Sequence, residues 1–181
     1  SDRRPWALMV GLMLPHFPYS ISRPYYDMYD GTDIPDPRVP PNGKRYADLI
    51  PEQLQDLRKW LGLTEDGASE GHVRNARRCY YGMISCVDAL VGRLVSHLEQ
   101  LGAADNTWVI YASDHGDMMG EHGLWSKIAF YEDSVRVPLI IVPPGYRHAG
   151  AHCGAPVSLV DWMTTVLDLT GQQSYFERLP G

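Results

Sequence analysis

The stretch Tyr111–Lys127, YASDHGDMMGEHGLWSK, holds the densest set of reactive side chains in the chain: Asp114, His115, Asp117, Glu121, His122 and Lys127. Asp114 comes at the end of a β-branched and aromatic run, 107–112. A strand there would hold its backbone rigidly, which suits a metal-ligating carboxylate. His115 sets a nitrogen donor beside that oxygen donor, and Gly116, Gly120 and Gly123 let the chain turn tightly around a site. The same stretch also reads as a glycine-rich surface loop with solvated charges. Lys127 reads as a solvated lysine or, beside a metal, as a cation that meets an oxyanion and the charge on a leaving oxygen. His16, within Pro15-His16-Phe17-Pro18, reads as a turn histidine or as a ligand or proton donor.

Other groups carry less. Glu132, Asp133 and Arg136 are positioned to pair with one another, with a substrate-facing Arg136 as the alternative. His148 and His152 lack a partner at a telling spacing and read as surface histidines. The chain has no G-x-S-x-G elbow, phosphate-cradling GxxxxGK loop, GxGxxG or H-E-x-x-H.

The elements that would position these residues follow from hydrophobic period. Trp6–Leu14 is almost continuously apolar and is expected as a central strand, so that His16 sits just past its C-terminal end, where open α/β sheets bind ligands. Residues 19–50 are expected as a loop, with Tyr25, Tyr26 and Tyr29 either covering a pocket or packing on the body. A short helix is predicted from Pro51, with Leu54, Leu57 and Leu61 on one face. A long amphipathic helix is predicted over 72–101, carried by Val73, Ala76, Tyr80, Ile84, Val87, Val91, Leu94, Leu98 and Leu101 and stopped by Gly102. Strands are expected near 107–112 and 138–142. A last helix begins with Ser158 and Asp161 as a capping box and ends at Gly171. The order implies an α/β fold with a mainly parallel sheet flanked by helices, the long helix covering one face.

The chain is 181 residues long, 44% hydrophobic, with a formal net charge of -6. That charge disfavours a nucleic-acid partner, which calls for a basic surface. The apolar run at 6–14 is far too short to span a membrane. Cys79, Cys86 and Cys153 have neither metal-ligand spacing nor disulfide-scaffold density, and the first two read as core packing on a helix face. A chain that begins directly with a core strand reads as part of a longer protein.

SDHGDMMGEHGLWSK with FYEDSVRVPLIIVPPG, residues 113–145, resembles the sulfatase family of the alkaline phosphatase superfamily. GLMLPHFPY (11–19), the helix-like RRCYYGMISCVDALVGRLVSHLEQLG (77–102) and PVSLVDWMTTVLDLTG (156–171) resemble further family elements, so the likeness spans nearly the whole chain. The resemblance implies an alkaline-phosphatase-like α/β/α fold, with 1–181 an incomplete portion of the catalytic domain. It implies sulfate-ester hydrolysis, with phosphate-ester or phosphonate-ester hydrolysis as the alternative within the superfamily. It implies Asp114 and His115 as ligands of Ca2+ or another divalent cation. It also implies Lys127 in contact with the sulfate and the leaving oxygen, and His16 as the group that binds sulfate and protonates the leaving group. The implied partner is a small anionic sulfate ester.

The family's Cys-x-Pro-x-Arg or Ser-x-Pro-x-Arg signature, source of its formylglycine nucleophile, does not occur in these residues, nor does the early aspartate pair. A non-catalytic role in binding or structure is therefore a further reading, and exposed sheet surface where strands are missing could pair with other copies. The 181-residue chain alone is expected to release no sulfate from an aryl sulfate. Measured turnover by the pure chain, abolished by Lys127→Ala, would contradict this.

Overall fold

A computed structural model of the chain describes residues 5–38, 50–60, 68–146 and 150–178. They fall into two compact units, Ser1–Gly145 and Tyr146–Gly181. Every side chain singled out above for chemistry lies in the first.

The first unit is organised on one long helix. Helices α1 (Arg23–Asp27), α2 (Glu52–Trp60) and α3 (Glu70–Gln100) precede strand β1 (Val109–Ala112), and α4 (Glu132–Val135) precedes strand β2 (Leu139–Val142). The hydroxyl of Ser69 caps α3 by accepting from the His72 amide at 3.4 Å. Gly102, at φ 63, ends it in the left-handed conformation, and the Ala103 amide donates to Leu98 O at 2.9 Å. The expected helix is thus present, extended two residues at its start. Its buried face differs from the expected stripe: Cys79, Gly82, Met83 and Val87 are buried, while Ile84 is exposed. Cys86 is partly buried and Cys153 exposed, and all three cysteines are free thiols.

The stretch expected as loop contains α1, which Pro24 helps to start by presetting φ in the first turn. It lies against α3 so closely that a Cβ on Gly82 would come within 2.9 Å of the Tyr25 carbonyl oxygen. The tyrosines pack on the body: Tyr26 OH donates to Asn75 Oδ1 at 2.6 Å, the Arg78 guanidinium lies 3.9 Å over the Tyr26 ring, and Tyr29 OH bonds Ser85 Oγ at 2.7 Å. Of the apolar face expected on α2, Leu61 lies outside the described residues.

The α/β class holds, with two corrections to the expected strands. β1 and β2 pair antiparallel, in the register Val109↔Val142 to Ala112↔Leu139. The connection 113–138 carries no crossover helix longer than the four-residue α4, and the chain comes back beside β1 in the opposite direction. Residues 6–14 form no ladder among the described residues, and an apolar run becomes a strand only where a neighbouring backbone pairs with it. Leu8 is 72% exposed and Met9 87%, and Ile140 of β2 is 54% exposed. Apolar side chains of the 6–13 segment and of β2 therefore face outward. No helix among the described residues is long and apolar enough to cross a membrane.

The segment between β1 and α4 is compact. Met118 and Leu124 are fully buried and form a small core with Ala129, against which Leu54 and Tyr131 pack. Gly116 donates its amide to Ser134 O at 2.7 Å, and a Cβ there would collide with the Asp133 carbonyl oxygen. Buried Glu121 accepts from the Arg38 amide at 3.0 Å, from Arg38 Nε at 2.9 Å and from Arg77 at 3.3 Å. Arg38 also reaches Asp133 at 2.6 Å, so Asp133 pairs there rather than with Arg136. In the second unit, α5 (Asp161–Leu169) is preceded by Val160 as its N-cap rather than the expected Ser158; of the expected box, the contact present is the Ser158 amide donating to the Asp161 carboxylate at 2.7 Å. Gly171, at φ 70, ends it, and a 3-10 turn follows at Gln173–Arg178. His152 is exposed, and His148 lies outside the described residues.

Burial pushes the Glu121 carboxyl up, but hydrogen bonds from Arg38 and the charges of Arg38 and Arg77 outweigh burial and hold it below the ordinary value. A lowered folded value means stability that is fully present above the unfolded carboxyl range and is lost as pH falls through the folded value. Glu121→Gln is expected to cost about 1–3 kcal/mol at neutral pH, since Arg77 is left in a buried position without its counter-charge. The difference in Tm between the two proteins should shrink on acidification below pH ~4. A Tm difference that stays constant down to low pH would contradict this.

Candidate active site

Two pairs of residues stand at the ends of the elements just described. The first follows β1. The Ser113 hydroxyl donates to His115 O at 2.8 Å, and Asp114 Oδ1 accepts the His115 amide at 3.1 Å, so the strand turns over within two residues. His115 Nδ1 lies 2.7 Å from Gly116 O. A carbonyl only accepts, so Nδ1 carries the proton and Nε2 keeps its lone pair. That lone pair lies 3.6 Å from Asp114 Oδ2. Two acceptors facing each other across this gap suit a cation held between them. An exposed carboxylate and a tautomer-fixed imidazole are apt metal donors. They are also only part of a coordination shell: no group of three or more His, Cys, Asp or Glu among the described residues could hold a metal ion.

The second pair joins residues 111 positions apart: Lys127 Nζ lies 3.1 Å from His16 Nε2. His16 Nδ1 lies 2.8 Å from Phe17 O and so carries its proton. Nε2 is left to accept from the lysine, which has protons to give and no lone pair when charged. Lys127 is exposed and His16 partly buried. Both ends of the contact can therefore be reached by a small anion. Sequence alone put both residues forward, but neither their contact nor the tautomer. Among the described residues, no hydrogen bond or ion pair joins the Asp114–His115 pair to the His16–Lys127 pair.

The loop between them is wound tightly. Met119, His122 and Ser126 adopt positive φ of 45, 53 and 63, a region that costs non-glycine residues about 1 kcal/mol or more each. His122 is offset by stacking on Tyr131, with ring centroids 4.2 Å apart. Asp117 turns its carboxylate inward rather than toward the opening. It accepts from Tyr19 OH at 3.0 and 2.9 Å, from the Met119 amide at 3.0 Å and from the Ser126 amide at 3.1 Å. The Tyr19 ring sits between Tyr80 and Trp125, at centroid distances of 6.3 and 5.8 Å. Burial raises the Tyr19 hydroxyl well above its ordinary value, and the Asp117 charge raises it further. Burial, with the same carboxylate, pushes Tyr80 up to about 12. Tyr19 therefore remains a donor at any pH of interest. Sequence reading named Asp117 and Glu121 within the cluster without a role and missed Tyr19. The one available signal was that both acids lie in a stretch with buried apolar residues on either side.

The sulfatase family model matches residues 1–172. The chain is 38% identical to a choline-sulfatase of Rhizobium meliloti (strain 1021), over 94% of this chain and 32% of that protein. It is 34% identical to the multifunctional alkaline phosphatase superfamily protein PehA of Trinickia caryophylli, over 96% of this chain and 35% of that protein. The structure resembles that of the phosphonate monoester hydrolase of Agrobacterium radiobacter, with a TM-score of 0.80 and 32% identity over 94% of this chain and 36% of that one. The chain thus spans about a third of the length of these curated relatives. With a family match across all but its last residues and its fold shared with an esterase of the same superfamily, the chain belongs to the sulfatase family.

Proposed function

We propose that the whole protein hydrolyses an organic sulfate ester, and that this chain supplies part of its catalytic domain, including the groups that act on the sulfuryl oxygens and the leaving group. The observation that carries the reading is the 3.1 Å contact between Lys127 Nζ and His16 Nε2. It gathers a cation and a proton-carrying ring at one accessible point. In the overall reaction the ester S–O bond breaks, the leaving oxygen takes a proton, and water supplies the oxygen that completes the sulfate. Negative charge grows on the leaving oxygen as the bond breaks. Lys127 meets that charge. His16 gives the proton: once its Nε2 is protonated it can no longer accept from Lys127, and its N–H is free to turn to the ester oxygen.

Asp114 and His115 would hold the divalent cation, which when bound supplies positive charge to the sulfuryl oxygens. Calcium fits the carboxylate; the imidazole nitrogen weighs toward another divalent ion. The remaining ligands and the nucleophile, a formylglycine by family resemblance, would come from outside these residues. As it stands, the chain can associate with itself through the exposed apolar side chains of 6–13 and β2.

A second reading, hydrolysis of a phosphonate or phosphate monoester, draws on the likeness to the phosphonate monoester hydrolase. A panel of matched sulfate and phosphonate monoesters of one phenol separates the two by relative kcat/KM.

In the full-length protein, Asp114→Ala is expected to lose metal content and rate together. Lys127→Ala is expected to keep its metal and lose about 10²-fold or more in kcat/KM on esters of poor leaving groups, as for removal of a single oxyanion donor. That loss should shrink as the leaving phenol becomes more acidic, because less charge then needs support. Elemental analysis beside kcat/KM across a series of aryl sulfates reads both. An emptied metal site in Lys127→Ala, or a loss constant across the series, would show Lys127 to be a structural cation.

A further inference from the structure

Asp117 lies within the polar cluster, yet its carboxylate faces the protein. Its donors come from two segments: Tyr19 OH on one side, and the Met119 and Ser126 amides on the other. Tyr19 is three residues beyond His16, and Ser126 immediately precedes Lys127. A single side chain therefore ties the Tyr19 hydroxyl, three residues beyond His16, to the backbone just before Lys127, and His16 and Lys127 meet at 3.1 Å.

Lys127 is exposed, and an exposed lysine left to itself samples many rotamers, at a cost of up to about 2 kcal/mol when fixed. Ser126, at φ 63, sets the direction in which Lys127 leaves the loop, and Asp117 holds that residue by its amide. The raised Tyr19 hydroxyl stays protonated and keeps donating as pH rises.

We propose that Asp117, through Tyr19 and the Ser126 amide, is a positioning residue that holds His16 and Lys127 together as one acid-and-cation unit. For its catalytic meaning this rests on the sulfate-ester reading above. Asparagine replaces the carboxylate only in part: its one oxygen can keep the Met119 and Ser126 amides, but the charge is lost and the oxygen that accepts from Tyr19 becomes an NH2 group.

The test has an arm that needs no activity. In the full chain labelled with 15N-histidine, Lys127→Ala removes the donor from His16 Nε2 and moves that resonance toward the value of a bare lone pair. Asp117→Asn and Tyr19→Phe are expected to move it the same way, while far-ultraviolet circular dichroism and a cooperative melt show the fold retained. Tyr19→Phe removes only the hydroxyl and guards against collapse of the Asp117 variant. In the full-length protein, Asp117→Asn is expected to lose about 10²-fold in kcat/KM on poor leaving groups and little on good ones, the scale of an ångström-level misplacement. The Asp117→Asn, Lys127→Ala double variant should lose no more than Lys127→Ala alone. A His16 resonance unmoved in both folded variants, or a loss uniform across the series and additive with Lys127→Ala, would overturn the proposal. If the full-length protein cleaves no sulfate ester, the function reading fails and the resonance alone decides the positioning role.

Discussion

The first unit is held in working form by carboxylates that face inward. Asp117 gathers a hydroxyl from the segment after His16 and amides from the loop before Lys127. Glu121 gathers Arg38 and Arg77 onto the same loop from two other parts of the chain. Buried anions of this kind are costly unless each oxygen is matched by donors, and here each is. The loop between β1 and α4 needs such anchoring. It has only a small apolar core of Met118, Leu124 and Ala129, and it carries left-handed backbone at Met119, His122 and Ser126. Without the carboxylates, that strain would have little to hold it.

The outward-facing groups inherit their geometry from this anchoring. Lys127 projects from the loop onto His16. Asp114 and His115 project from the end of β1, with the imidazole tautomer set by the Gly116 carbonyl. Gly116 also passes hard against the backbone at Asp133, so the turn that presents His115 is tied to the helix before β2. Local geometry brings a cation, a histidine and a carboxylate–imidazole pair onto one compact unit.

What could be read in advance was local. Gly102 and Gly171 act within a few residues, so the C-terminal ends of α3 and α5 were legible from residue type. Asp114 was legible because it ends a β-branched run. Strand direction was not, since pairing depends on what lies alongside; an apolar run such as 6–14 becomes a strand only beside a partner. Nor could Asp117 be told from Asp114. The two acids stand three residues apart in the same cluster, and only the fold shows that one faces solvent and the other the partly buried Tyr19. The His16–Lys127 contact was equally hidden, because its partners are 111 residues apart.

In the proposed reaction His16 and Lys127 act as one unit on the leaving oxygen, beside a cation that Asp114 and His115 would hold. A crystal structure of the full-length protein with a slowly hydrolysed aryl sulfate bound tests it most directly. The bridging ester oxygen should lie within hydrogen-bond distance of both His16 Nε2 and Lys127 Nζ, with Asp114 and His115 on the metal. An ester bound elsewhere, with His16 and Lys127 still bonded only to each other, would contradict the claim.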